Sequence, residues 1–449
     1  MREMNMTWQS EYQQKSVTAE EAVKAIKTGD TVAIPIDTAP LALSRALQAR
    51  QKELEKVTIL LRQPRDELGW FAPELESVFH IILDTQVGSA DRKVNEKRAD
   101  YIPYLTSLRF KDAGKLPEYP RKLDAVMIVV SPPDGDGYCS FGPYLSHKGD
   151  YARSARRVLA EVDDDPGMNI RTPGDNRIHV SEITFFTKHV PPLPKESSAP
   201  KKAKTGPGDA ELKIAEYVAT LVHDGDTVQL GAGDVTESMF SFGTFDGKKD
   251  LGIHSAIITP GLLGLIRRGI VNGNRKSVNP GKSVSGGFRR IVKPEDISFI
   301  NGNPHFLVRD MAYINDIRVI ASHDNLIAIN GVLAVDLTGQ IAADSLGTRM
   351  FGGAGGQVEF VIGSILSNGG HSITVLRSTT RDGKISRITP TLENGTVVSI
   401  SRTFADYVIT EYGIASLWGK SQRERAAALI SIAHPDFRDE LQKQAKELF

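Results

Sequence analysis

The 449-residue chain balances 55 Lys plus Arg against 55 Asp plus Glu, and a net charge of zero excludes the electrostatic footprint of a dedicated nucleic-acid or membrane-surface binder. With 40% hydrophobic and 24% charged residues it is neither disordered nor fibrous, and its length suits two or three domains. The lone cysteine, Cys139, excludes an internal disulfide framework and a thiolate-clustered zinc site and points to a reducing compartment. Residues 1–10 hold no apolar run of the kind a signal peptide needs, and no later stretch reaches the roughly 18 apolar residues of a membrane span, so a cytoplasmic protein is expected.

Helix and strand patterns alternate from the start. Ala22, Val23 and Ile26 share a face of a helix over 19–27, capped by Thr18 and stopped by Gly29. A strand over 31–36 follows, then a helix through Leu41, Leu43, Ala46 and Leu47, then strands at 57–61 and 125–130. The last of these is almost continuously apolar, as a strand buried on both faces of a parallel sheet is. The second half repeats this opening: after an apolar-periodic helix over 214–222, Gly225-Asp226-Thr227-Val228 matches Gly29-Asp30-Thr31-Val32, 196 residues earlier. Each copy continues into strand, turn and helix, so the expected fold class is α/β, with two homologous open α/β domains. A Pro-, Ser-, Gly- and Lys-rich stretch from Pro191 to Gly208 has no apolar period and reads as an exposed linker. The domains are placed at 1–195 and 210–449, with the linker at 196–209.

Two glycine-rich turns carry the chemical signal. Gly231-Ala232-Gly233 follows a strand and precedes a helix, a place where backbone amides can meet an anion. Gly352-Gly353-Ala354-Gly355-Gly356-Gln357 lets main chain approach a ligand with no side chain between. Either turn can equally be a structural one that needs positive φ. No Lys-Ser or Lys-Thr follows at the Walker A offset, and the first turn has two of the three glycines of a dinucleotide fingerprint, so ATP and nicotinamide binding lack support. The ten histidines form no His-Glu-x-x-His helix, and no metal site is expected. Asp234 and Glu237 stand three apart at a helix start, where they serve either as N-terminal capping charges or as a base or nucleophile beside the turn.

A set of further motifs spans the chain: Ser131-Pro132-Pro133-Asp134, Leu251-Gly252-Ile253-His254, Asp336-Leu337-Thr338-Gly339-Gln340, Asp344-Ser345-Leu346-Gly347-Thr348, Gly355-Gly356-Gln357-Val358, Thr410-Glu411-Tyr412-Gly413 and His434-Pro435-Asp436-Phe437. Together they resemble the acetyl-CoA hydrolase/transferase family, in particular its 4-hydroxybutyrate and butyryl CoA-transferases. The resemblance implies a pair of α/β domains with the site at their interface, acyl-CoA thioesters as substrates with coenzyme A arriving as part of the substrate rather than as a bound cofactor, a carboxylate acceptor, and a homodimer. It further implies a glutamate that attacks the thioester, forms an acyl-glutamyl anhydride and then carries CoA as a glutamyl thioester. The Gly352, Gly353, Gly355, Gly356 and Gln357 turn takes the place of the loop whose N–H groups polarise the thioester oxygen, Gly231 and Gly233 belong to the first family turn, and Asn315 matches an asparagine near the reacting carbonyl.

One residue departs from the pattern in a way that matters. The family nucleophile follows Gly-Ile-His as the middle residue of Ser/Thr-Glu-Met, and here that segment is Ser255-Ala256-Ile257. A methyl group cannot attack a thioester, so the standard mechanism cannot pass through Ala256. Because Ile257, Pro260, Asp234 and Thr236 also depart from the pattern, natural divergence explains the chain better than a single engineered change. Three readings stay open: hydrolysis or related CoA-ester chemistry with water activated by Asp234 or Glu237, transfer through a relocated nucleophile at Glu237, and a non-catalytic CoA-binding subunit, alone or with a related chain. Ser255 and Cys139 are lesser nucleophile candidates. Trp70, Phe71, Tyr101 and Tyr104 are candidate pocket aromatics, and Arg289 and Arg290 are candidate phosphate partners.

Overall fold

The computed structural model describes residues 7–35, 39–62, 66–84, 91–109, 122–191, 208–231, 233–289, 293–353 and 355–449. Residues 196–207 of the expected linker, Ala232, Ala354 and Arg290 lie outside the described residues. The chain forms two compact units, Met1–Pro194 with Ser285–Tyr313, and Lys195–Val284 with Ile314–Phe449.

The first unit is built on strands β1 (Thr31–Ile34), β2 (Val57–Leu61), β3 (Phe79–Asp84), β4 (Asp100–Ile102), β5 (Leu123–Val130), β6 (Ala155–Val162) and β7 (Phe185–Lys188). They pair in the order β4-β3-β2-β1-β5-β6-β7, every pairing parallel. Val126 to Val130 of β5 are all buried, as the near-continuous apolar run requires of a strand covered on both faces. Residues 285–313 fold back into this unit although they fall inside the stretch 210–449. The Asp175 carboxylate receives Arg309 Nε at 2.8 Å and the Asp310 N–H at 3.1 Å, and Val308 N–H reaches Pro173 O at 2.9 Å.

The second unit holds β8 (Thr227–Leu230), β9 (Gly252–Ser255), β10 (Leu326–Gly331), β11 (His371–Val375), β12 (Tyr407–Thr410) and β13 (Gly413–Ser416). These run β9-β8-β10-β11-β12-β13, parallel except for the last, antiparallel hairpin pairing. In each unit the Gly-Asp-Thr-Val strand is central, with the next strand of the chain on one side and a later strand on the other.

The two Gly-Asp-Thr-Val turns are built the same way, atom for atom. Asp30 Oδ2 accepts the Lys27 N–H at 2.8 Å, and Asp226 Oδ2 accepts the His223 N–H at 2.6 Å. Gly29 N–H donates to Glu55 O at 3.0 Å, and Gly225 N–H to Lys249 O at 2.9 Å. Both glycines sit at positive φ, 80° and 88°, where a side chain would be strained. The aspartate is therefore a local clamp that closes the turn before the central strand.

Candidate functional site

The carboxyl ends of parallel strands are where open α/β sheets bind ligands, and in the second unit that edge collects the singled-out residues. Strand β8 pairs with β9 as Thr227↔Gly252 and Val228↔Ile253, and continuing this register leads to Gly231 on one strand and Ala256 on the next. Gly231 N–H donates to Ile329 O at 2.8 Å. A Cβ on Gly231 would lie 2.6 Å from Asn330 Oδ1, so the position requires glycine. Thr236 closes the turn, its hydroxyl reaching Gly231 O at 2.6 Å and Gly233 O at 3.1 Å.

Helix α1 (Asp234–Ser241) begins at once, with Gly233 as its extended N-cap. Asp234 is exposed and pairs with Arg381 at 3.0 Å, both side chains 57% accessible. Glu237 is half-buried one turn further on. The Asp234–Arg381 pair is a screened surface contact.

The second turn is different. It opens helix α2 (Gln357–Leu366), and Gly355 holds φ 55°. A Cβ on Gly356 would collide with the Asn315 amide. Asn315 is fully buried, and its Nδ2 donates to Glu359 Oε2 at 2.8 Å, leaving Asn315 Oδ1 without a hydrogen-bond partner. Gln357 is buried as well, and its Nε2 has no acceptor. A buried donor without an acceptor costs roughly 1–3 kcal/mol, so the turn holds an unsatisfied amide.

Strand β9 is tied to the chain beside Asn315 through His254. His254 Nε2–H donates to Ile314 O at 2.8 Å, which ties β9 to the residue preceding Asn315. Burial first, then His323 and Lys276, push the His254 pKa well below its ordinary value, so the ring is neutral. His323 packs edge-on at 4.6 Å with its pKa lowered to about 3, and Lys276 donates from Nζ to Ile253 O at 2.8 Å with its pKa lowered to about 7, both mainly by burial. Ser255 Oγ turns to Leu230 O at 3.4 Å, so Ser255 and His254 form no activating pair. Cys139 is buried with its thiol pKa pushed up to about 12 by desolvation, which makes it inert.

The structure brings Asn315 against Gly356, next to Gln357, and places Gly231, Gly233, Asp234 and Glu237 at the exit of strand β8, with Ala256 following strand β9. Gly352 donates its N–H to Asp344 O at 3.1 Å at the start of the second turn, and Gly353 follows it half-buried. In the first unit, Trp70 is core, packed edge-on against Phe79 at 5.3 Å, while Phe71, Tyr101, Tyr104 and Arg289 are partly exposed. Asp336-Leu337-Thr338-Gly339-Gln340 is a structural turn, with Asp336 Oδ1 accepting the Thr338 and Gln340 N–H groups at 2.9 and 3.0 Å.

Residue-type reasoning missed Glu359 and Arg381, and it gave no role to two residues of the quoted motifs, Asp344 and the Glu411 carboxylate that accepts Ser378 N–H at 2.9 Å and Ser378 Oγ–H at 2.6 Å. Glu359 carried a usable signal, a carboxylate inside the otherwise apolar run Val358 to Ile362.

Among the described residues no group of three His, Cys, Asp or Glu is arranged to hold a metal, and no helix is long and apolar enough to cross a membrane. The acetyl-CoA hydrolase/transferase N-terminal domain family matches residues 1–194, and the C-terminal domain family matches residues 295–445. The 4-hydroxybutyrate coenzyme A transferase of Clostridium kluyveri is 38% identical over 99% of this chain and 100% of its own. The butyryl-CoA:acetate CoA-transferase of Anaerostipes caccae is 34% identical over 98% of each chain. The crystal structure of RipA from Yersinia pestis superposes with a TM-score of 0.84 at 31% identity, covering 99% of both chains. The chain belongs to the acetyl-CoA hydrolase/transferase family.

Proposed function

We propose that the protein binds an acyl-CoA thioester with its carbonyl oxygen at the Gly352–Gln357 turn and releases CoA by hydrolysis rather than through a glutamyl anhydride. The observation that carries this reading is the buried, acceptor-free Gln357 amide at a glycine turn packed on Asn315, in a chain whose strand β9 is followed by Ala256 instead of a carboxylate. Preorganised donors of this kind act where charge develops in the transition state. Water adds to the carbonyl carbon, the C–S bond breaks, CoA leaves as the thiol with the proton that the water gave up, and the acyl group leaves as a carboxylic acid. Glu237, half-buried at the first turn, is the better-placed base of the two carboxylates, because Asp234 is exposed and held by Arg381.

A second reading is favoured by the relatives, whose names are those of CoA-transferases. In it Glu237 takes the role of nucleophile and a carboxylate such as acetate is the acceptor. A CoA-binding subunit that works as a homodimer or beside a related chain is the remaining alternative. Incubating the protein with acetyl-, butyryl- and 4-hydroxybutyryl-CoA in H2(18)O, with and without acetate, separates the three. Acetate-independent thiol release with one 18O in the acid supports hydrolysis, acetate-dependent acetyl-CoA formation supports transfer, and unchanged esters support the binding subunit.

A further inference from the structure

Asp344 lies at the root of the second glycine turn and belongs to no step described so far. Its main chain is held at both peptide groups: the Asp344 N–H donates to Ser399 Oγ at 3.2 Å, and its carbonyl oxygen accepts the N–H groups of Phe351 at 2.8 Å and Gly352 at 3.1 Å. Those two amides are the entrance to the turn. The side chain is 8% exposed, and its Oδ1 is shut off from solvent with no hydrogen-bond partner. Burial favours the neutral acid and pushes its pKa up to about 6, with the Ser399 hydroxyl acting in the opposite direction. Three charged groups lie on neighbouring elements. Arg349 of the 345–350 hairpin lies over the Phe351 ring at 5.0 Å, Glu393 stands against Gly347, and Glu359 of α2 receives Asn315.

The carboxyl faces no solvent, so Asp344 serves the site through the turn that its main chain holds. We propose that Asp344 is a proton-linked positioning residue: neutral, it leaves the Gly352–Gln357 turn free to stabilise negative charge on a thioester oxygen, and ionised, it sets a buried negative charge beneath that turn and opposes it. This rests on the function proposed above, and it deepens that reading by making carbonyl recognition a function of pH.

The test compares two ligands by calorimetry from pH 5 to 7.5: CoA, and a ketone analogue of acetyl-CoA in which CH2 replaces the thioester sulfur. The ratio of their dissociation constants isolates the carbonyl, because titration of the shared phosphates cancels. In the unsubstituted protein the preference for the ketone falls about tenfold with a midpoint near pH 6. In Asp344→Asn the ratio is flat. In Ser399→Ala, which removes the hydroxyl that favours the carboxylate, the midpoint moves to higher pH and keeps the test open should Asp344→Asn fold poorly. A pH-independent ratio in the unsubstituted protein, or the same fall in Asp344→Asn, overturns the role of Asp344 while CoA binding stands. Failure of both ligands to bind at every pH overturns the thioester site and the role together.

Discussion

The two glycine turns of the second unit look alike in sequence and differ in what surrounds them. At Gly231 and Gly233 the turn is closed on itself by the Thr236 hydroxyl, and its acidic residue faces solvent in a pair with Arg381. At Gly352 to Gln357 the turn leans on buried amide and carboxyl groups, Asn315, Glu359 and Asp344, and leaves Asn315 Oδ1 and Gln357 Nε2 without partners. Glycine content shows where main chain can come close. Burial and unsatisfied polar atoms show which turn has a reason to bind something.

The largest effect is expected at Gly356. A methyl group there collides with the Asn315 amide, so Gly356→Ala should abolish CoA-ester turnover and lower stability by roughly 1–3 kcal/mol, read by urea unfolding. The matching change in the first turn, Gly233→Ala, meets only the Thr236 hydroxyl at 3.5 Å and should leave the fold intact, so equal losses at both turns would erase the distinction.

Next comes Glu359. Removing its carboxylate in Glu359→Ala strands the buried Asn315 donor and should destabilise by about 1–3 kcal/mol, with Glu359→Gln recovering part of the loss.

Asp344 gives a pH signature. Its folded pKa of about 6 lies above the ordinary 3.8, so its contribution to stability is whole below about pH 4 and is lost as pH rises through 6. Asp344→Asn should remove that decline and leave the protein more stable at pH 7 than the unsubstituted chain, by up to roughly 3 kcal/mol, measured by urea unfolding at pH 4, 5, 6 and 7.

The smallest effect on stability belongs to Asp234. Its exposed pair with Arg381 should be worth less than about 1 kcal/mol, so Asp234→Ala should melt with the parent protein. Retained thiol release in this variant together with its loss in Glu237→Gln would assign the base to Glu237.

Much of the fold was legible because it is written in local patterns. The run Val57 to Leu61 is a strand with those same ends, and the two Gly-Asp-Thr-Val stretches fold into equivalent clamped turns, since each needs only its own aspartate, its own glycine and the next connection. The helix read over 19–27 is a shorter α-turn, Ala19–Ala22, that tightens into a 3-10 segment, Val23–Ala25, before Gly29. The return of residues 285–313 to the first unit was not legible, because its anchors, such as Arg309 on Asp175, lie more than a hundred positions apart in the chain. The same holds for the site. The family resemblance picked out Asn315 and the run of glycines picked out the second turn, but the Asp234 partner is 147 residues away and the burial of Asp344 is set by Ser399 and the turn, none of which has a local period to read.

The central claim is that a CoA-ester site persists here while position 256 no longer carries the acyl group. The most direct test measures butyryl-CoA with acetate in H2(18)O for the unsubstituted protein and for Ala256→Glu, following free CoA, acetyl-CoA and labelled butyrate by mass spectrometry. The account expects free CoA and singly labelled butyrate from the unsubstituted protein whether or not acetate is present, and new acetate-dependent acetyl-CoA from Ala256→Glu. Acetate-dependent acetyl-CoA from the unsubstituted protein, with no labelled butyrate, would contradict it.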